Sequence, residues 1–314
     1  MNFAYHRLDR SWPKYRWWKP LVTGLIAAGF LLVFAVLTVV PLIVASLVTP
    51  DGIGADLETL FSEGVVDTTV PVILAVTLAS IAFMLPAIIL ARLIMGPRPL
   101  GLLSSVAGRL RWGWMLGFLL PALVAFGASV VLSLLVLPPL LGEPVPAPAV
   151  GPDTWLMLAI IVLLVPLQAT AEEYVFRGYL MQSIGGWLKH PAFAILIPVP
   201  LFMVGHTQYD IWGAVDVGVF AVFAGWLTWR TGGLEAAIVA HVINNGAIFA
   251  LGAFDLVDTN QTEVNPLGIL VTALTLALYS WLVVRLMRKR KLETERTIVE
   301  IPPAPAALIV DSHS

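Results

Sequence analysis

Apolar residues run along this chain in long blocks, interrupted by short polar stretches. A helix needs about 20 consecutive apolar residues to cross the hydrocarbon core of a bilayer. Blocks of that order lie at 21–47, 70–91, 113–137, 154–183, 191–207, 213–229, 234–251 and 267–286. They predict eight crossings and an all-α, polytopic integral membrane bundle. The first block is too long for the apolar stretch of a signal peptide and is followed by further spans, so it reads as a retained helix. The fifth carries Pro198 and Pro200, which should kink or locally unwind it. The fourth outruns the thickness it must cross, so its later part should tilt or project towards the interface.

The polar stretches test this count independently of the apolar ones, because Lys and Arg collect on the cytoplasmic side of membrane proteins. Arg7, Arg10, Lys14, Arg16 and Lys19 precede the first block, and Arg92, Arg98, Arg109 and Arg111 lie between the second and third. Arg177 and Lys189 precede the fifth, Arg230 separates the sixth from the seventh, and Arg285, Arg288, Lys289, Arg290, Lys291 and Arg296 follow the eighth or close it. These are all 18 basic residues. The alternate loops hold only acids: Asp51, Asp56, Glu58, Glu63, Asp67, Glu143, Asp153, Asp210, Asp255, Asp258 and Glu263. One helix more or fewer would scramble this segregation, so both termini are expected in the cytoplasm and the chain in a plasma (inner) membrane.

Trp17, Trp18, Trp112, Trp114, Trp187 and Trp229 fall near the basic ends, and Trp155 and Trp212 near the acidic ones, as interfacial anchors would. The stretch Pro97–Leu110 fits either an amphipathic segment along the interface or an ordinary loop. Divided by these features, the chain reads as an N-terminal segment (1–20), three helices with their loops (21–151), a polar-bearing core (152–251), an outer loop with the last helix (252–287) and a flexible cytoplasmic tail (288–314).

Composition narrows the function. The chain is 59% hydrophobic and 12% charged with a formal charge of −2, which disfavours a nucleic-acid surface and leaves the lipid bilayer as the first partner. The absence of cysteine removes disulfides, thiolate nucleophiles and sulfur-ligated metals. No internal repeat is evident, and transporters built from two related halves usually carry one.

Ionisable residues inside spans are costly and tend to mark function. The fourth block carries Gln168, Thr170, Glu172, Glu173 and Arg177, the fifth ends in His206, and the seventh carries His241, Asn244 and Asn245. Asp216, nearer the outer interface, suits a solvated or capping role. At 1.5 Å rise per residue, Glu172 and Asn245 lie roughly 16 Å from the basic ends of their helices, His206 roughly 22 Å and His241 roughly 10 Å. Three helices can therefore present these groups to one buried pocket, reached more easily from the cytoplasmic side. Glu173 and Arg177 share a face at i and i+4, so they form an ion pair, while Glu172, rotated by about 100°, stays available as a general base. His206 beside it can orient a water, and His241 with Asn245 one turn on offers two donors to an oxyanion. This is machinery for adding water to an amide carbonyl. The competing chemistry is metal ligation, with Glu172, His206 and His241 as a two-His, one-Glu set for zinc or another divalent ion. No HExxH motif is present.

At these residues the chain resembles the CPBP intramembrane proteases, the family of CAAX prenyl proteases and of bacteriocin-processing or abortive-infection relatives. Glu172-Glu173-Tyr-Val-Phe-Arg177 matches its EExxxR motif, Phe202-Met-Val-Gly-His206 its FxxxH motif and His241-Val-Ile-Asn-Asn245 its HxxxN motif. The resemblance covers about residues 154–251 and implies an eight-span endopeptidase whose site opens towards the cytoplasm. It implies water activation by Glu172 and His206, oxyanion stabilisation by His241 and Asn245, and support from Glu173 and Arg177. The substrate it implies is a membrane-associated peptide or protein, in some relatives lipid-modified. Family members are often called metal-dependent, yet the motif chemistry can be written without a metal, and both versions stay open. Two other functions use the same polar cluster: a proton-coupled transporter with Glu172 and His206 as its relay, and a non-catalytic immunity or scaffold protein.

Overall fold

A computed structural model describes residues 1–48 and 66–298. Asp51, Asp56, Glu58 and Glu63 of the first acidic loop, and the tail prolines Pro302, Pro303 and Pro305, lie outside the described residues. Among the described residues eight apolar helical segments follow one another: α1 (Lys19–Val48), α2 (Pro71–Met95), α3 (Trp112–Leu140), α4 (Thr154–Trp187), α5 (Pro191–Val204), α6 (Ile211–Thr231), α7 (Glu235–Ala253) and α8 (Pro266–Arg290). Among the described residues seven are long and apolar enough to span a membrane, and the chain is a helical membrane bundle in contact with lipid.

The exception is α5, which is shorter than a full span and is broken at the first of the two prolines expected to interrupt it. It consists of two short runs, Pro191–Leu196 and Pro198–Val204, on either side of a break at Ile197. Pro198 has no N–H to donate, which is why the helix cannot run continuously here. The short helix still links the two ends of the bundle. Next to its start, the Lys189 carbonyl accepts from His6, and beyond its end the Asp210 N–H donates to the Thr262 carbonyl of the loop before α8.

The lipid-facing sides of the helices remain apolar, as Leu32, Leu120, Val162 and Leu274 illustrate. The main core lies among α3, α5, α6, α7 and α8, where Phe118, Phe202, Phe220, Leu227, Val239, Tyr279 and Val283 are buried. Ala122, Ala125, Ala221, Ala224, Ala236 and Ala240 accompany them, and side chains this small let helices approach closely where lipid supplies no hydrophobic drive. In contrast α1 lies at the periphery, packed along α2 and tied to α4 where Tyr179 donates to the Pro20 carbonyl at 2.7 Å.

The basic end of the bundle is folded rather than loose. Residues Asn2–Ala4 form a strand, β1, antiparallel to β2 (Glu295–Thr297), and Tyr5–Ser11 continue as a tight helical turn with Tyr5, Leu8 and Asp9 buried. Reading a flexible tail from residue 288 therefore needs correction at its start: α8 reaches Arg290 and β2 follows. Arg7 and Arg10 donate to the carbonyls of Gly185 and Gly186 at the end of α4, where a helix leaves its last acceptors unpaired. A Cβ on Gly185 would collide with the His6 carbonyl oxygen, so glycine is what lets the N-terminal turn sit so close.

The Pro97–Leu110 stretch is neither an interfacial helix nor a free loop. Leu102, Leu103, Ser104 and Ser105 are buried. Val106 N–H donates to the Gly232 carbonyl and Leu234 N–H to the Ser104 carbonyl, both at 2.9 Å, stitching the segment to the α6–α7 turn. Gly232, at φ 71°, supplies the left-handed residue that ends α6. Trp17, Trp18, Trp112, Trp155, Trp187 and Trp212 are exposed, whereas Trp114 and Trp229 pack against the cores.

Candidate functional site

The EExxxR segment lies in the middle of α4, where the hydrogen-bond pattern changes. Ordinary α-helix runs to Glu173, and Tyr174–Leu180 take the wider π spacing before α-helix resumes at Met181. Such insertions are rare and favour functional sites, because they turn side chains away from regular helical positions. Here the change begins directly after the two acids and includes Arg177.

Glu173 is fully buried and its Oε1 accepts from two donors, Arg177 Nη1 at 2.9 Å and His241 Nδ1 at 2.8 Å. The expected ion pair at i and i+4 is present, yet it is not the whole role of Glu173, which also holds the α7 histidine. The other nitrogen of that ring, Nε2, lies 3.3 Å from Glu172 Oε2. His241 thus stands between the two acids, which face different nitrogens of one imidazole. With Nδ1–H given to a carboxylate oxygen shared with Arg177, Nε2 is the nitrogen left to exchange a proton with Glu172. Glu173 Oε2, its second oxygen, is buried without a hydrogen-bond partner, and Glu172 Oε2, the oxygen that faces His241, has that 3.3 Å approach but no aligned hydrogen bond.

Aromatic rings close the network on the α5 and α6 side. The Arg177 guanidinium lies over the Phe202 ring at 4.4 Å and near that of Phe220 at 5.9 Å, and it donates to the Ala221 carbonyl at 3.4 Å. Phe220 meets His241 edge-on at 5.0 Å. A guanidinium over aromatic faces, paired to a carboxylate, is tolerable in a dry interior in a way that a bare cation is not. Nothing in the sequence around Phe220 marks it for this position. Phe202, by contrast, is the first residue of the FxxxH motif, and its spacing to His206 was the signal.

His206 sits apart from the acids. It lies in the turn after α5, half-buried, with Nδ1 2.9 Å from the Phe202 carbonyl and its ring stacked on Tyr209 at 6.4 Å. Because a carbonyl only accepts, Nδ1 carries the proton and Nε2 is the basic nitrogen of the neutral ring. Among the described residues no ion pair joins His206 to Glu172; it is His241 that faces both glutamates. His206 reaches the site through Phe202, whose ring lies 4.8 Å from that of His206 and 6.3 Å from that of His241.

Asn245, one turn beyond His241, belongs to an adjoining amide cluster. Its Nδ2 donates to Gln168 Oε1 at 3.2 Å and its Oδ1 accepts from Asn244 Nδ2 at 3.1 Å. Asp216 is not the cap of α6; Asp210 fills that place, accepting from Gly213 N–H at 2.7 Å. Among the described residues no three His, Asp or Glu side chains are grouped as a metal ion would require.

Residues 152–247 match the family model described as type II CAAX prenyl endopeptidase Rce1-like. The match covers about a third of the chain. It contains all six candidate residues and Gln168, and it bears out the resemblance to the CPBP proteases, while α1, α2, α3 and α8 lie outside it. The chain is also 36% identical over 97 residues to "Uncharacterized protein YyaK" of Bacillus subtilis (strain 168), a match covering 29% of this chain and 32% of that protein. No solved structure matches.

Proposed function

We propose that this protein is an intramembrane endopeptidase that cleaves a membrane-associated or lipid-modified peptide with a water activated by its own side chains. The observation that carries the proposal is the buried relay Arg177–Glu173–His241–Glu172 inside the Rce1-like segment. Glu172 accepts a proton from water, and the resulting hydroxide adds to the scissile carbonyl carbon. His206 Nε2 accepts a hydrogen bond from the other O–H of that water, which stays on the hydroxide, and so orients it. Negative charge gathers on the carbonyl oxygen, where Asn245 Nδ2–H can donate, as can His241 Nε2–H in the doubly protonated ring whose Nδ1–H is held by Glu173. Glu172 then returns its proton to the amide nitrogen as the C–N bond breaks. Glu173 and Arg177 keep the His241 ring in the orientation that this requires.

Clustering of every Lys and Arg except the buried Arg177 at the same ends of the helices supports a cytoplasmic position for β1 and β2 in a plasma (inner) membrane. The test is cleavage of quenched peptides, plain and prenylated, by detergent-purified wild type and Glu172→Gln, with the metal content of both. The proposal expects cleavage by wild type that resists chelators and vanishes in the variant. Cleavage abolished by a chelator and restored by zinc would replace the scheme with a metallopeptidase. An active Glu172→Gln protein would overturn it outright.

A further inference from the structure

The amide cluster beside the relay has no part in the scheme beyond Asn245, yet its geometry is specific. Gln168 lies on α4 four residues before Glu172, so both side chains share one helix face, and it is buried at 4% exposure. Its Oε1 accepts from Asn245 Nδ2 across the α4–α7 contact, while Asn244 Nδ2 donates to Asn245 Oδ1. Both ends of the Asn245 amide are therefore occupied, one by an acceptor and one by a donor. With the Gln168 and Asn244 amides held as they stand, rotating that amide by 180° would set oxygen against oxygen at Gln168 and N–H against N–H at Asn244. An Asn side chain is otherwise free to exchange its oxygen and nitrogen, since the two ends have nearly the same shape. Asn245 Nδ2 carries two hydrogens, and one remains after the bond to Gln168.

We propose that Gln168 is a positioning residue that fixes the Asn245 amide with its free N–H available to the reacting carbonyl oxygen. The inference rests on the peptidase reading for its consequence, though not for the hydrogen bond itself. Without the Gln168 acceptor, the amide can turn its oxygen towards the oxyanion, where it repels rather than stabilises. A donor whose value lies in being aimed beforehand loses most of that value when it must be reoriented during the reaction.

Two readouts test this on the full-length protein in detergent. In the first, Gln168→Met, close in volume and lacking the acceptor, is compared with wild type for peptide cleavage. The expected result is a fall in kcat of about 3- to 10-fold, the range of one neutral hydrogen bond, with KM within about twofold. In an Asn245→Ala background the same substitution is expected to change kcat no further. Unchanged kcat in Gln168→Met, or an equal loss in both backgrounds, would overturn the positioning role. The second readout needs no substrate. Protein labelled with ¹⁵N-asparagine carries the label at Asn2, Asn244, Asn245, Asn260 and Asn265, and loss of a signal in Asn245→Ala assigns the side-chain amide. Gln168→Met is expected to shift the hydrogen-bonded proton of that amide upfield and narrow its separation from the geminal one. An unshifted pair would overturn the proposal even if the wild type cleaves. A shifted pair in a protein that cleaves nothing would uphold the placement of Asn245 while the peptidase reading falls.

Discussion

Two buried Glu–Arg pairs of the same chemistry sit at different levels of this molecule. At the basic end, Glu235 is fully buried, and its Oε1 accepts from the Arg111 backbone N–H and from Arg111 Nε, both at 2.9 Å. Its Oε2 accepts from Arg111 Nη2 at 2.6 Å, and the rest of that guanidinium donates to the carbonyls of Glu293 and Thr231. In the middle of the bundle, Glu173 uses one oxygen for both Arg177 and His241 while its other oxygen has no partner, and Glu172 Oε2 has only the 3.3 Å approach of His241 Nε2, without an aligned hydrogen bond. Burying a carboxylate is costly unless its oxygens are satisfied. The saturated pair therefore reads as a fastener that ties α3 to α7 and to the chain after α8. The unsaturated one keeps acceptor capacity in a dry place, which a fastener does not need and a general base does. The Asp9–Arg92 pair follows the first pattern, with both Asp9 oxygens bonded to the guanidinium at 3.0 and 2.7 Å.

The sharpest break between the two sites comes from neutralising one acid in the middle. Glu172→Gln keeps the volume and removes the charge, so peptide hydrolysis should fall below detection while the unfolding midpoint in detergent shifts by less than about 2 °C. At the basic end the pattern should invert. Arg111→Met leaves Glu235 buried and uncompensated, which costs about 3–5 kcal/mol of stability. Cleavage per folded molecule should remain at the wild-type level in the cold. Equilibrium unfolding in a mixed-detergent series measures the first quantity and active-site-normalised turnover the second. A stable Arg111→Met protein with impaired turnover would erase the distinction.

Legibility in the sequence followed the same division. Apolar blocks and segregated charges revealed the helical bundle, because bilayer thickness and backbone hydrogen bonding leave few alternatives. The i, i+4 geometry of Glu173 and Arg177 was readable for the same reason: it depends on one helix alone. What depended on two helices was not. That His241 rather than His206 would face Glu172 is decided by how α5 breaks at Pro198 and where the following turn falls, and no periodicity encodes that. Gln168 could be placed within a span but not against Asn245. The folded basic end was missed because Tyr5, Leu8 and Asp9 sit in a short, charge-rich stretch, which reads as solvated until Arg92 and the end of α4 are brought to it.

A smaller effect is expected at the amide. Asn245→Ala removes one donor from the developing oxyanion and should lower kcat by about 10²- to 10³-fold with little change in KM. The fold should hold, because Asn245 bonds to two other amides and to no charged group. Pre-steady-state turnover separates this from a binding defect, and a rise in KM at constant kcat would move Asn245 from transition-state stabilisation to substrate binding.

The smallest expected effect belongs to the N-terminal turn and extends the comparison to pH. His6 is buried, and its Nε2–H donates to the Lys189 carbonyl at 3.0 Å. Burial pushes its pKa below the ordinary histidine value, Arg7 and His190 push the same way, and the carbonyl opposes them. The released turn therefore takes up a proton more readily than the docked one. Docking is at full strength above about pH 6.5, weakens as pH falls from there to the lowered pKa of the docked histidine, and then levels off. Amide hydrogen exchange of residues 5–11, corrected for its intrinsic pH dependence, should show less protection at pH 5.5 than at pH 7.5. His6→Gln keeps a donor for the Lys189 carbonyl and cannot titrate, so its protection should not change with pH. If the wild type is equally protected at both values, the turn is held by the Asp9–Arg92 and Arg7–Gly185 contacts alone, and His6 is a packing residue with no linkage to pH.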